Sequence, residues 1–177
     1  LYSAPHFKSL QQAQSFFKNE TFKLDMKRML PVNSSIAFSS FGKNHGARFH
    51  LRRLLSVFVR ERRNCILLTF DEAYFNSLPK GRALLLAQDQ LTSFTFASLQ
   101  EWYNTLCRKY DLVLVDNFSL PKNAESIVFM GLAHQNICVV DTRKTHLKRI
   151  GELNVINAKN NIPTLHLAIN NHKYTPS

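Results

Sequence analysis

The sequence predicts an α/β domain in three layers, with helices over both faces of a mostly parallel central sheet, and three observations carry that prediction. Short apolar runs alternate with stretches of helical periodicity along 34–171, the order expected of βαβ units. Those runs are apolar throughout rather than at every second position, as suits strands covered on both faces. The length of 177 residues fits one domain, 1–177, with 34–171 as its α/β core.

Taken in order, residues 1–31 read as a helical lead-in. SLQQAQSFFKNETFKLDMKRML is rich in helix formers, and Pro31 stops it. SSIAFSS (34–40) is a buried strand between serine pairs. Residues 46–62 place Phe49, Leu51, Leu54, Leu55, Phe58 and Val59 near helical spacing. NCILLTF (64–70) is the second strand. Periodicity is weakest over 71–91: Pro79, Lys80 and Gly81 mark a turn, RALLLAQDQL is expected as a short helix, and LTSFTF (91–96) as a strand. ASLQEWYNTLCRKY (97–110) sets Leu99, Trp102, Tyr103 and Leu106 on one side of a helix. DLVLVDN (111–117) is the third strong strand. A helix over 122–134, the strand NICVVD (136–141), a helix over 145–159 and the strand IPTLHLAIN (162–170) complete the series. No repeat, low-complexity segment or Gly/Ser linker interrupts it. Trp102, Phe16, Phe17 and Phe22 read as packing residues, or, for the lead-in, as a face for a partner.

Composition is that of an ordinary globular chain, 45% hydrophobic and 20% charged, with no apolar run of the ~18 residues a membrane span needs. The opening, LYSAPHFKSL, lacks the apolar core of a secretory leader, and without an initial Met the chain reads as a piece of a longer one. The formal charge of +11 favours anionic partners: nucleic acid, acidic lipid, phosphorylated ligands or an acidic protein face, unless it is simply a solvated surface. Cys65, Cys107 and Cys138 lie far apart, two of them in apolar runs. Their odd count and the absence of CxxC argue against a disulfide framework and for a reducing, cytoplasmic setting. The seven histidines show no HxxxH or HExxH spacing, so no metal site is expected.

In open α/β sheets, ligands bind beyond the carboxyl ends of the strands. Here the first strand runs into Ser39-Ser40-Phe41-Gly42-Lys43-Asn44-His45-Gly46 and then a helix, the second ends at Asp71, and the third at Asp116-Asn117. A loop opening a helix beside two carboxylates is the layout of a nucleotide–magnesium site, where backbone N–H groups take phosphates and carboxylates take the metal.

IAFSSFGKNHGARFHLRRLLSVFVRERRNCILLTFD resembles the strand, Walker A loop, helix and Walker A′ strand of the MinD/ParA-type P-loop ATPases. Within them it is similar to the cytoplasmic domain of bacterial tyrosine kinases of the polysaccharide co-polymerase group. YDLVLVDN resembles the Walker B strand, and ICVVDTRKTHLKRIGEL with IPTLHLAINN the next strand–helix–strand. The resemblance implies a P-loop NTPase-like sheet. It also puts Ala47 at the Walker lysine, Arg48 at the magnesium-binding hydroxyl, Phe41 at the first loop glycine and Thr69 at the first Walker A′ aspartate. Asp71 matches the second and Asp116 the Walker B carboxylate. Alanine cannot reach phosphate and arginine repels a metal, so the resemblance implies lost phosphoryl transfer. The tail, NNHKYTPS, offers only Tyr174 against the tyrosine-rich tail of those kinases, and no EAxR-type oligomerisation segment is found.

The expected function is therefore a non-catalytic pseudo-ATPase or pseudokinase, a protein-binding or scaffold domain in bacterial exopolysaccharide, capsule or cellulose synthesis and export. It would sit in the cytoplasm at the inner face of the membrane, beside an active MinD/ParA-like relative or a membrane synthase or export component. Gly42, Lys43, Gly46 and Arg48 are the relic anion-binding candidates, against a reading of Lys43 and Arg48 as solvated loop residues. His45 and His50 stand beside a nucleotide or merely cap the helix. Arg52, Arg53, Arg60, Arg62 and Arg63 form a basic patch that meets acidic lipid, a lipid-linked phosphate or an acidic loop, unless it is a plain charged helix face. Asp71 and Asp116 could pair for acid–base work, but no nucleophile accompanies them. No cofactor is called for, although a nucleotide or cyclic dinucleotide stays open. Two alternatives also remain: a nucleotide switch in which Lys43 or Arg48 replaces the lysine, and a nucleic-acid module resting on charge alone.

Overall fold

The computed structural model describes residues 32–42, 46–120, 124–141 and 144–170. The predicted lead-in over 1–31, together with Lys43, His45 and Tyr174, lies outside the described residues. Six strands are formed: β1 Ser34–Ser40, β2 Cys65–Thr69, β3 Ala83–Leu85, β4 Leu112–Ser119, β5 Gln135–Asp141 and β6 Leu165–Asn170. Between them lie α1 Ala47–Arg60, α2 Glu72–Asn76, α3 Gln88–Ser93, α4 Phe96–Lys109, α5 Ala124–Leu132 and α6 Leu147–Asn160. All strand pairs are parallel, in the order β3-β2-β4-β1-β5-β6.

Alternation along each buried strand feeds two cores. Ile36 and Phe38 of β1, with Leu112 and Leu114 of β4, face α1, which buries Ala47, Leu51, Leu55 and Phe58 on a helical stripe. Ala37, Val113 and Val115 point the other way, against Leu99, Tyr103 and Leu106 of α4 and Phe129 of α5. On the same side, Met130, Cys138 and Val140 pack with Leu153 of α6. Both sides of the central strands are apolar because both are covered, which is why they read as continuous runs.

Two expectations for the least periodic stretch are corrected. RALLLAQDQL does not form one helix: Ala83–Leu85 is the edge strand β3, in parallel register with Leu67–Thr69, and the helix starts at Gln88. The Arg82 carbonyl accepts from the Leu67 N–H at 3.0 Å, and the Thr69 carbonyl accepts from the Leu86 N–H at 3.0 Å. Three residues are too few to show a period, so pairing to β2 overrides the helical propensity of the leucines. LTSFTF likewise is not a strand. Leu91–Ser93 ends α3, and Thr95 is the N-cap of α4, its hydroxyl accepting from the Ser98 N–H at 3.2 Å while the Ser98 hydroxyl accepts from the Thr95 N–H at 2.9 Å. Local capping chemistry thus outweighs β propensity.

Candidate functional site

The strand order places a switch point between β1 and β4. From β1 the chain turns toward β2, and from β4 it turns toward β5, so a crevice opens at the carboxyl ends of these neighbours. At its floor, register sets three side chains in a row, because Phe38 lies opposite Asp116 and Asp116 lies opposite Thr69. The chain leaves β1 through Ser40, whose hydroxyl donates to the Gly42 carbonyl at 2.8 Å, and enters α1 through Gly46. Gly46 has φ 96°, a left-handed conformation that a side chain would strain.

Arg48, in the first turn of α1, turns into this crevice. Its Nε donates to Asp116 Oδ2 at 3.0 Å and to Oδ1 at 3.3 Å, and its Nη2 donates to Asp71 Oδ2 at 2.9 Å. The reading of Arg48 as a solvated loop residue is therefore overturned: donors at two nitrogens of one planar guanidinium hold both strand-end carboxylates together. Thr69 completes the set, its hydroxyl donating to Asp116 Oδ2 at 2.9 Å. Asp71 also caps α2, accepting from the Tyr74 N–H at 2.9 Å. Tyr74 lies beneath the cation, its ring centroid 4.5 Å from Arg48 Cζ, and its hydroxyl donates to the Arg48 carbonyl at 3.3 Å.

Burial grades the charges. The Asp116 side chain is 5% exposed, against 33% for Asp71 and 38% for Arg48. Burial pushes the Asp116 carboxyl above the ordinary aspartate range, and Arg48 and the Thr69 hydroxyl oppose that shift without cancelling it. Burial also works against the Arg48 charge, but Asp116 and Asp71 outweigh it and hold the guanidinium above its usual value. The two directions are compatible: an ion pair in which the deeper partner bears the larger desolvation cost. As folded, the carboxylates serve a guanidinium and do not fit a magnesium ion, because their facing oxygens already accept from Arg48 and Thr69. Ala47 is buried against α1's core side and sends nothing into the crevice.

Other residues fall away from this centre. Arg52 reaches α2, donating to the Ser77 carbonyl at 3.4 Å and also to the Ser77 hydroxyl, with its Cζ 5.4 Å from the Tyr74 ring. Arg53 and Arg60 are exposed on α1, and Arg62 and Arg63 follow it. His50 makes an edge contact with Phe49, ring centroids 5.6 Å apart. Asn117 ties the crevice walls, its amide donating to Ser39 Oγ at 2.9 Å and to the Ser126 carbonyl at 3.0 Å. Sequence reasoning passed over Tyr74 and Ser77, which sit in a weakly patterned stretch. It also passed over a third strand-end carboxylate, Asp141, 1% exposed and 3.9 Å from Lys144. Among the described residues no group of three or more His, Cys, Asp or Glu side chains could hold a metal.

No protein-family model matches the chain, and no curated protein does. Solved structures do. The chain is similar to the VpsO kinase domain, with a TM-score of 0.68 at 13% identity over 86% of this chain and 91% of that one. It is also similar to the kinase domain of the Escherichia coli tyrosine kinase ETK, with a TM-score of 0.58 at 14% identity over 95% and 76%. For the MinD cell division protein of Aquifex aeolicus the TM-score is 0.57 at 12% identity over 79% and 70%. The chain thus has a MinD/ParA-like P-loop fold, as its sequence resemblance implied.

Proposed function

We propose that this chain is a non-catalytic P-loop-type domain, a pseudo-ATPase or pseudokinase that works by binding other proteins. The single observation supporting this is Arg48, a cation supplied by the chain itself at the carboxylates where the resembled enzymes would hold magnesium. A guanidinium fixed there satisfies Asp71 and Asp116 without metal and repels a divalent ion. Phosphoryl transfer by this fold depends on positioning and on neutralising phosphate charge, and with Ala47 in place of the lysine both supports are missing. The alternative, in which Arg48 replaces the lysine at a nucleotide phosphate, requires a side chain that here donates to two carboxylates. The nucleic-acid module rests on charge alone.

The setting proposed is bacterial exopolysaccharide, capsule or cellulose synthesis and export, at the inner face of the membrane, with an active relative or a synthase or export component as partner. It rests on the sequence resemblance to co-polymerase kinases and on the structural likeness to tyrosine-kinase domains. Calorimetric titration with ATP–Mg²⁺ and with ADP tests the mechanism: no heat of binding is expected, and micromolar affinity for either overturns it. Glycosyltransferase or cellulose-synthase genes beside this one would support the setting, and their absence would remove it.

A further inference from the structure

The outer face of α1 carries a feature that the crevice does not use. Phe49, Arg53, Ser56 and Arg60 follow one another at helical spacing, with Arg52 alongside, and all are exposed. Phe49 is 52% exposed although it is a large apolar side chain, and Arg53 lies over its ring, Cζ 5.3 Å from the centroid. Arg62, also exposed, follows past the helix end, whereas Arg63 is half-buried, its Cζ 5.3 Å from the ring of the core residue Phe58. Between 46 and 64 the chain has six arginines against one acid, Glu61. Among the described residues no carboxylate forms an ion pair with Arg52, Arg53, Arg60, Arg62 or Arg63. Among the described residues, Arg48 alone of the six has a carboxylate partner.

We propose that this ridge is a docking surface for an anionic lipid bilayer, with the arginines at headgroup phosphates and Phe49 entering the interfacial zone. The stripe runs about 16 Å along a helix at ~1.5 Å per residue, and it is convex and of one sign. A convex ridge has no groove to take a peptide segment, so its complement is flat and negative. A bilayer and a duplex both meet that description. Phe49 favours the bilayer: a phosphate backbone gives a phenyl ring no apolar contact, whereas the headgroup–acyl boundary takes it readily. Each arginine held near an anionic surface multiplies partitioning about fivefold, so several of them with one aromatic anchor make reversible binding. This inference stands apart from the reading of the crevice.

The test is flotation of the full chain with vesicles of phosphatidylcholine alone or with about 30% phosphatidylglycerol, at low salt and at about 0.5 M salt. Recovery with the anionic vesicles alone, lost at high salt, is expected. The double variant Arg53→Glu/Arg60→Glu should abolish recovery, with Arg53→Gln/Arg60→Gln as the milder pair should the first fail to fold. Phe49→Ser should lower it about five- to tenfold. Salt-insensitive recovery, recovery unchanged in the arginine variants, or retardation of duplex DNA without vesicle binding would each overturn the proposal. Nucleotide calorimetry is untouched by these substitutions, so either reading can fail without the other.

Discussion

Arg48 and Asp116 are bonded to each other but not placed alike, and their removal should cost different amounts. Arg48→Met leaves a 5%-exposed carboxylate with only the Thr69 hydroxyl, a loss of about 3–5 kcal/mol. Asp116→Asn keeps an acceptor for Arg48, which retains Asp71 and reaches solvent, so about 1–2 kcal/mol is expected. Urea unfolding of both variants checks the order. The pH dependence follows from the upward shift of Asp116. A carboxyl whose folded pKa exceeds its unfolded one contributes stability below the unfolded pKa and loses it as pH rises through the folded value. Without Arg48 the shift is larger, so the deficit of Arg48→Met should grow from about pH 4 to about pH 7. Arg48→Ser exposes the carboxylates to outside cations, and millimolar Mg²⁺ should raise the melting temperature of that variant while leaving the parent unmoved. An equal shift in both would show that Arg48 is not what keeps the metal away. The sequence already implied that an arginine at this position repels metal. It did not show the guanidinium spanning both carboxylates, because that depends on β2 and β4 being neighbours, a fact of topology rather than of spacing.

At the level of elements, the long central strands and α1, α4 and α6 were legible because each buries enough residues to print a pattern. SSIAFSS matches β1 from end to end, and the spacing of Leu51, Leu55 and Phe58 is the buried stripe of α1. β3 was not legible, since its three residues owe their conformation to the edge of β2. Nor was the start of α4: Phe94, Thr95 and Phe96 look like strand residues, whereas Thr95 works through its hydroxyl. Thr95→Ala should lower stability by about 1 kcal/mol, while Thr95→Ser should preserve it, as read by urea midpoints at unchanged slope. A β-strand at 91–96 would predict a loss for both substitutions, since each removes the β-branched side chain.

Over the whole molecule, the thiols follow the core rather than any redox chemistry. Cys65, Cys107 and Cys138 are all buried and free, and burial raises each thiol, Cys138 to about 12. Reductant should therefore leave the melting temperature unchanged, and a thiol reagent should label the native protein only as fast as it unfolds. The charge, in contrast, is unevenly spread, and this too could be read only in part from the sequence. The arginine cluster is visible in the chain, but its division into one inward Arg48 and an outward ridge follows from where the sheet lies.

The central position of β1 governs how the molecule is made. Among the described residues β1 pairs with β4 and β5 and not with the strand that follows it in the chain. Its apolar segment must wait, unpaired, until residue 119 has been synthesised, roughly four to sixteen seconds after Ser40 at ribosomal speeds of about 5–20 residues per second. For that interval Ile36, Ala37 and Phe38 are open to any passing chain, so the nascent protein is a natural client for chaperones that hold extended apolar segments.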